Sequence, residues 1–457
     1  VSQNRLSENG VLPLPYVGGL QNEDNDCSTI HCNEDSDVSE DENEDNSSIF
    51  KQMSFIDSVK YWALPTNQTH HSIRMMLEIL RAHTSHTFPK DPRTLLKTPR
   101  TATNIKNIEG GQYWYNGLQQ CIINNFSSAD FQRGRYNGLP LHKSSSAQFW
   151  PILANIHELP DFPVMTVAIF CGSTKPKNLN EFLEPLVTEL NYLMTNGVFV
   201  KSRNIGVILR AIIADSPARA FIKGVAYFNA KNGCLKCKCV GEFNHDSNTV
   251  VFRGINAPLR TDHEFRKVLE VLHHKAWTPL LLLKNFNIIE DVTIADPLHL
   301  IYLGMMRRLL FGWRDGILGK YTKWDGKTVE QISNWLKNVN LPYEFHRKTR
   351  DLYCLRHWKG TEFNFLPEDA YEHFMFLFCS ITLLSSNIYK TNWKLAAEML
   401  ELYILDFEKK YGLKYITSNV HNLQHIYNDV EKFGPMLSIS TFTFENELQS
   451  IKHMLRS

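Results

Sequence analysis

At 457 residues the chain is too long for one ordinary core, so two or three domains are expected. A formal net charge of +1 excludes a uniformly basic nucleic-acid coat, although the acidic run from Glu23 to Asp45 masks an excess of Lys and Arg elsewhere. Nine cysteines, clustered only at Cys234, Cys237 and Cys239, fit a reducing compartment with a metal site better than a disulfide framework. No apolar run approaches the roughly 18 residues of a membrane span, and there is no signal-peptide pattern, so a soluble, intracellular protein is expected. A first residue of Val and an end soon after Glu445 read as a piece of a longer frame.

Residues 1–48 are polar, acidic and poor in aliphatics, and cannot bury enough surface to offset their chain entropy. They read as a disordered acidic leader, in which Cys27 and Cys32 are incidental. Residues 49–105 change character: Phe55, Val59 and Trp62, then Ile73, Met76, Leu77, Ile79 and Leu80, recur at helical spacing. With Lys90, Arg93, Lys97 and Arg100 behind them, these helices form either a small DNA-contacting module or a helical support with solvated basic side chains.

Residues 106–253 alternate strands and helices, which makes an α/β core. Strands are predicted around Tyr113-Trp-Tyr, at Gly138-Leu-Pro-Leu and over Val164–Phe170, and an amphipathic helix over Asn180–Met194. The run Ile205–Ala214 reads as a buried central strand delivering Asp215 at its end, although periodicity alone leaves a buried helix open. Ser-Pro-Ala-Arg after Asp215 resembles a helix start, so the carboxylate has a capping reading beside a functional one.

Residues 254–411 are helical in character, an all-helical block set into the α/β domain, and 412–457 return to the core with a histidine pair and Glu445. Cys234-Leu-Lys-Cys237 supplies half of a tetrahedral zinc site and needs a second pair. His421 and His425, spaced i and i+4, put two imidazoles on one helix face and complete the set, with Cys239 or His245 as replacement ligands. The bland alternative is buried cysteines and core histidines. No nucleophile elbow and no glycine-rich phosphate loop is present.

Several phrases together resemble the DDE transposases of the CACTA, or CMC, superfamily in their animal form. They are Gly138-Leu-Pro-Leu-His-Lys-Ser-Ser, Ala214-Asp-Ser-Pro-Ala-Arg-Ala, Cys234-Leu-Lys-Cys, His273-His-Lys, Asp296-Pro-Leu-His-Leu, Val420-His-Asn-Leu-Gln-His and Phe444-Glu-Asn. The spacing of the Cys and His pairs is also similar to that of the V(D)J recombinase catalytic subunit and its transposon relatives. The resemblance implies an RNase H-like core interrupted by a large helical insertion, structural zinc, catalytic Mg²⁺ or Mn²⁺, and cutting and joining of DNA. It further implies double-stranded transposon ends as partner, a homodimer on DNA and a nuclear location.

Two-metal phosphoryl chemistry needs convergent carboxylates. By resemblance Asp215 is the second acid and Glu445 the third, with Glu447 the lesser neighbour. The first acid should precede Gly138, where this chain has Asn137, an amide without the charge to balance two cations. Strand cleavage is therefore expected to be severely weakened or lost. Rescue by Asp130 would need a register shift that turns its neighbours to the other face. Asp296 and His299 match an Asp-x-x-His element of the family, and Asp296 before Pro297 is also a good helix cap. Lys143, Arg307, Arg308, His346, Arg347, Lys348 and Arg350 could grip phosphates or form a solvated face. Trp358-Lys-Gly-Thr-Glu362 also resembles the family, without a chemical task. The alternative to an impaired enzyme is a domesticated, catalytically silent DNA-binding or assembly protein.

Overall fold

The computed structural model describes residues 53–63, 68–96, 105–127, 148–319, 323–338, 350–357 and 371–454. Outside them lie the acidic leader, Lys97, Arg100, Asp130, Asn137 with the phrase after it, Lys143, His346, Arg347, Lys348 and Trp358–Glu362. The chain divides into two units, Val1–Val59 and Lys60–Ser457. The first is described only from Met53, where helix α1 (Phe55–Ala63) begins with the Ser54 hydroxyl accepting from the Asp57 N–H.

In the second unit, α2 (His70–His83) is capped by Thr69, whose hydroxyl accepts from the Ser72 N–H and satisfies a donor the helix start leaves open. It buries Ile73 and Leu77 but leaves Ile79 exposed, so its apolar stripe is narrower than the spacing suggested. A short turn, α3 (Pro92–Leu95), follows.

Strands β1 (Ile105–Ile108) and β2 (Gly111–Tyr115), helix α4 (Leu118–Ser127), and strands β3 (Gln148–Ala154) and β4 (Met165–Gly172) come next. The four strands form one antiparallel sheet in the order β1-β2-β4-β3. Helix α5 (Leu179–Asn196) packs its Phe182 ring 5.6 Å from Tyr113 of β2 and 6.4 Å from Phe170 of β4. Two small hairpins, β5 (Val198–Val200) with β6 (Arg203–Ile205) and β7 (Glu242–Asn244) with β8 (Thr249–Val251), complete the sheets of a mixed α/β fold.

The run expected as a buried central strand is not one over its length. Among the described residues Ile205 ends β6, Ile208 is 88% exposed, and pairing is confined to a parallel bridge between Ile212 and Val292. There Ile212 N–H donates to Asp291 at 2.8 Å and Thr293 N–H donates to the Ile212 carbonyl at 3.1 Å. β-branched composition makes a strand available, but only a partner in register makes it one. The bridge still sets Asp215 three residues past a parallel pair, at the start of α6 (Ser216–Ile222).

Two apolar cores meet within the chain segment after Val292. The α/β core runs from Tyr113 to Ile294, and the helical core begins at Ala295. α7 (Asp262–Arg266) belongs to the first through Phe265. α8 (Arg307–Asp315), α9 (Gly326–Asn338), α10 (Tyr371–Leu384) and α11 (Trp393–Tyr411) build the second. The terminal helices, α12 (Ser418–Asn422), α13 (Ile426–Phe433) and α14 (Phe442–Met454), follow, and Val420, Leu423, Ile426, Val430 and Phe433 join the helical core.

Before α8, residues Pro297–Met306 form a π-helix, a rare conformation that is frequent at functional sites. Gly304 lets it approach α12: a Cβ there would lie 2.7 Å from the His299 carbonyl and 3.1 Å from the Asn419 amide. Gly304→Ala is expected to cost about 1–3 kcal/mol, the usual penalty for overpacking. A denaturant midpoint unchanged from the parent chain would show that the contact relaxes freely.

Two buried histidines are held neutral. The Nδ1–H of His273 donates to the Asn232 carbonyl at 2.7 Å, and the Nε2–H of His373 donates to the Tyr403 carbonyl at 3.0 Å. Each leaves its other ring nitrogen buried without a partner. Burial lowers the His273 pKa to about 3, with the Arg260 charge adding to it, and burial lowers that of His373 to about 4. Between those values and about 6.5 the unfolded chain binds the proton and the folded chain does not, so stability falls as pH falls. Each histidine should account for about 2 kcal/mol lost by pH 5. His373→Gln should flatten that part of the stability profile from pH 6.5 to 4; an unchanged slope would refute the assignment.

Candidate metal centre

Cys234 and Cys237 occupy the loop between α6 and β7. The Cys237 N–H donates to the Cys234 sulfur at 3.4 Å, the knuckle expected of a Cys-x-x-Cys turn. The turn is pinned from outside: Lys238 N–H donates to the Pro258 carbonyl at 2.8 Å, and Arg260 N–H to the Lys236 carbonyl at 2.9 Å. The histidines sit where α12 tightens into a 3₁₀ turn over Leu423–His425, and both imidazoles are buried, with ring centroids 5.3 Å apart.

The four donors converge to within 4.8 Å of one another. Cys237 Sγ lies 3.3 Å from His421 Nε2, Cys234 Sγ 3.5 Å from His425 Nε2, and the two sulfurs 3.5 Å apart. Zinc bond lengths of about 2.3 Å to sulfur and 2.0–2.1 Å to nitrogen, at tetrahedral angles, require about 3.8 Å between sulfurs and about 3.6 Å between sulfur and nitrogen. The observed spacings therefore fit a structural zinc. The His421 ring is oriented by the Gln424 amide, 3.0 Å from Nδ1, and by the Phe252 ring at 5.2 Å. The proposed substitutes are elsewhere: Cys239 faces the Arg253 carbonyl, and His245 packs on Phe243.

The electrostatics favour anionic sulfur. Burial opposes charge on Cys234, but hydrogen bonds from Cys237, His421 and His425 outweigh it and hold its pKa well below the usual thiol value. Cys237 is pushed up instead, first by its hydrogen bond to Cys234 and then by burial. Four buried basic side chains surround the knuckle, Arg219, Lys223, Lys236 and Arg260, and burial with the neighbouring positive charges pulls the Lys223 pKa well below its ordinary value. Lys236, between the two cysteines, pairs with buried Asp429 at 2.7 Å, and Arg260 pairs with Glu270 while its Nε–H donates to the Cys234 carbonyl at 3.0 Å. The void beside the ligands is only about 10 Å³, no more than about one water in size. A larger cavity of about 340 Å³, lined by residues such as Tyr302, Phe374 and Tyr389, contains none of the candidate site residues.

The other predicted residues gather around His299. Asp215 caps α6, its Oδ1 accepting from Ala218 N–H at 2.8 Å. Asp296 is fully buried, caps the π-helix, and accepts from His299 Nδ1–H at 2.5 Å, from Thr441 N–H at 3.0 Å and from its hydroxyl at 2.7 Å. Nε2 of His299 faces Glu445, in the first turn of α14, at 3.8 Å. Burial opposes the charge of His299, but the bond to Asp296 and the fields of Asp296, Asp215 and Glu445 outweigh it and raise its pKa. Asp296 is lowered: burial resists, and His299 and Thr441 prevail. Among the described residues, however, only Cys234, Cys237, His421 and His425 close into a metal-sized cluster, so the acids by themselves do not support Mg²⁺ or Mn²⁺.

Of the basic candidates, Arg307 is exposed beside Phe311, and Arg350 is half-buried. Arg308 is not a free phosphate grip. It turns inward to the Thr417 hydroxyl and over the Tyr415 ring, and burial lowers its pKa. Sequence reasoning missed Lys236, Asp429, Arg219 and Thr441. Asp429 was within reach, since it continues the i, i+4 spacing of His421 and His425 along one face. The chain matches no protein-family model and no curated protein.

Proposed function

We propose that the chain is a transposase-like DNA-binding protein of the cut-and-paste type, impaired in strand cleavage by Asn137. The observation that carries this reading is the gathering of Asp215, Asp296 and Glu445 around His299 by elements more than 200 residues apart in sequence. An ordinary helix-surface acid has no reason to meet a half-buried histidine held by a fully buried carboxylate. The parallel bridge before Asp215 and the helical core between Asp215 and Glu445 agree with an RNase H-like core carrying an insertion.

In this reading the Cys2His2 centre holds structural zinc and ties the loop after α6 to the terminal helices. Mg²⁺ or Mn²⁺ would supply Lewis acidity at the phosphate. The chain's own part is to orient the site: Asp296 sets the His299 tautomer and ring angle, and Asp215 and Glu445 provide the negative field. Double-stranded transposon ends, a homodimer on DNA and a nuclear location belong to the same proposal. Asn137 favours the second reading, a silent DNA-binding or assembly protein on the same scaffold.

The test is duplex DNA binding at several salt concentrations together with Mn²⁺-dependent nicking. Binding should weaken steeply with salt. Nicking should be near background and rise at least about a hundredfold in Asn137→Asp, since a bridging carboxylate is worth several kcal/mol. Adding Glu445→Gln should remove the gain. DNA binding without any gain in Asn137→Asp selects the silent DNA-binding scaffold, and no DNA binding at all refutes the transposase reading and leaves of the second only an assembly protein.

A further inference from the structure

The metal centre and the His299 site share one segment of this chain. Residues Asp291–Asp296 run between them, and several polar groups in that stretch are held by different elements. Asp291 accepts from Ile212 N–H on the strand side and from the Lys432 ammonium at 2.6 Å on α13. The Thr293 carbonyl accepts from the Arg219 guanidinium of α6 at 3.1 Å. The N–H groups of Ile294 and Ala295 donate to one oxygen of Asp429, at 2.6 and 3.0 Å. Asp296 then holds His299 and Thr441.

Asp429 is the joint in this arrangement. It is 2% exposed, and both of its oxygens are committed. Oδ1 takes the ammonium of Lys236, which stands between the two cysteine ligands, and Oδ2 takes the two backbone donors that immediately precede Asp296. It also lies one helical turn beyond His425. A carboxylate accepting one charge-matched bond on one oxygen and two backbone bonds on the other fixes geometry more tightly than a neutral acceptor would. We propose that Asp429 is a positioning residue that couples the Cys2His2 centre to the Asp296–His299–Glu445 site, so that the knuckle sets the orientation of His299. Thr441 extends the coupling to the third acid: its side chain and N–H bind Asp296, and its carbonyl accepts from Glu445 N–H at 2.9 Å, at the start of α14.

The coupling rests on the metal-centre part of the proposed function, and its test reads geometry instead of DNA cleavage. Zinc-loaded protein labelled with ¹⁵N-histidine should show a slowly exchanging Nδ1 proton for His299, identified as the signal lost in His299→Gln. Asp429→Asn leaves all four metal ligands in place, so bound zinc should stay at the parent level while exchange of that proton accelerates at least tenfold or its signal shifts or vanishes. A role confined to stability lowers the melting temperature but leaves the signal of the folded protein, recorded well below melting, where it was. Retained zinc with an unchanged His299 proton therefore overturns the proposal. If Asp429→Asn does not fold, Lys236→Met/Asp429→Asn, which leaves no buried unpaired ammonium, is read in the same way. Loss of the proton in a chain that binds no DNA would keep the coupling and discard the transposase reading.

Discussion

Cys237→Ala is expected to lose the capacity to bind zinc and more than about 4 kcal/mol of stability, a range that loss of a metal ligand set can reach. The four donors are buried and already at zinc spacing, so binding of a metal there is expected to couple to folding of this part of the chain. Removing one sulfur leaves three ligands and an anionic Cys234 whose main hydrogen-bonding partner is gone. It also leaves the surrounding cations facing less negative charge. The check is thermal unfolding with and without a chelator, alongside zinc analysis. Chelation should bring the parent chain down towards the variant and leave the variant unmoved. A parent chain that purifies without zinc and ignores the chelator would return these residues to an ordinary buried cluster.

Lys236→Met is expected to cost about 3–5 kcal/mol while sparing every metal ligand, because it strands the carboxylate of Asp429 in the interior. The pair is 5% and 2% exposed, and the ammonium also serves the carbonyls of Ile289 at 2.8 Å and Glu290 at 3.3 Å. The two N–H donors of Ile294 and Ala295 remain and soften the loss without replacing a cation. Lys236→Met/Asp429→Asn should recover much of it, since no full charge is then left unpaired. Urea unfolding of the three variants at pH 7 measures this. A double variant as unstable as the single one would mean that shape, and not charge, holds the site.

Much of the metal centre was legible in the sequence because its chemistry is local. A Cys-x-x-Cys turn brings two sulfurs together by its own backbone, and i, i+4 histidines share a helix face wherever the helix lies. The cap at Asp215 and the Asp296-Pro297 start were legible for the same reason, and α5 and α11 followed directly from apolar periodicity. The stretch before Asp215 was not. Its β-branched residues suit a strand, yet a strand is defined by its neighbour, and the pairing found here depends on Val292, 80 residues later. Arg308 looked like a phosphate grip beside Arg307 and turned out to face Thr417, because helical position and not composition decides which of two adjacent arginines points inward.

What the sequence by itself determined is the set of groups with chemistry in them: two thiols and two imidazoles at ligand spacing, an Asp-x-x-His helix start, and two acids far apart. What the tertiary structure decided is which of these meet. Asp429 and Lys236 are 193 residues apart, and Asp296 and Thr441 are 145 apart. Contacts of that range carry no local signature, because their worth comes from burial away from water, and burial exists only once both apolar cores have closed around the segment from Asp291 to Asp296.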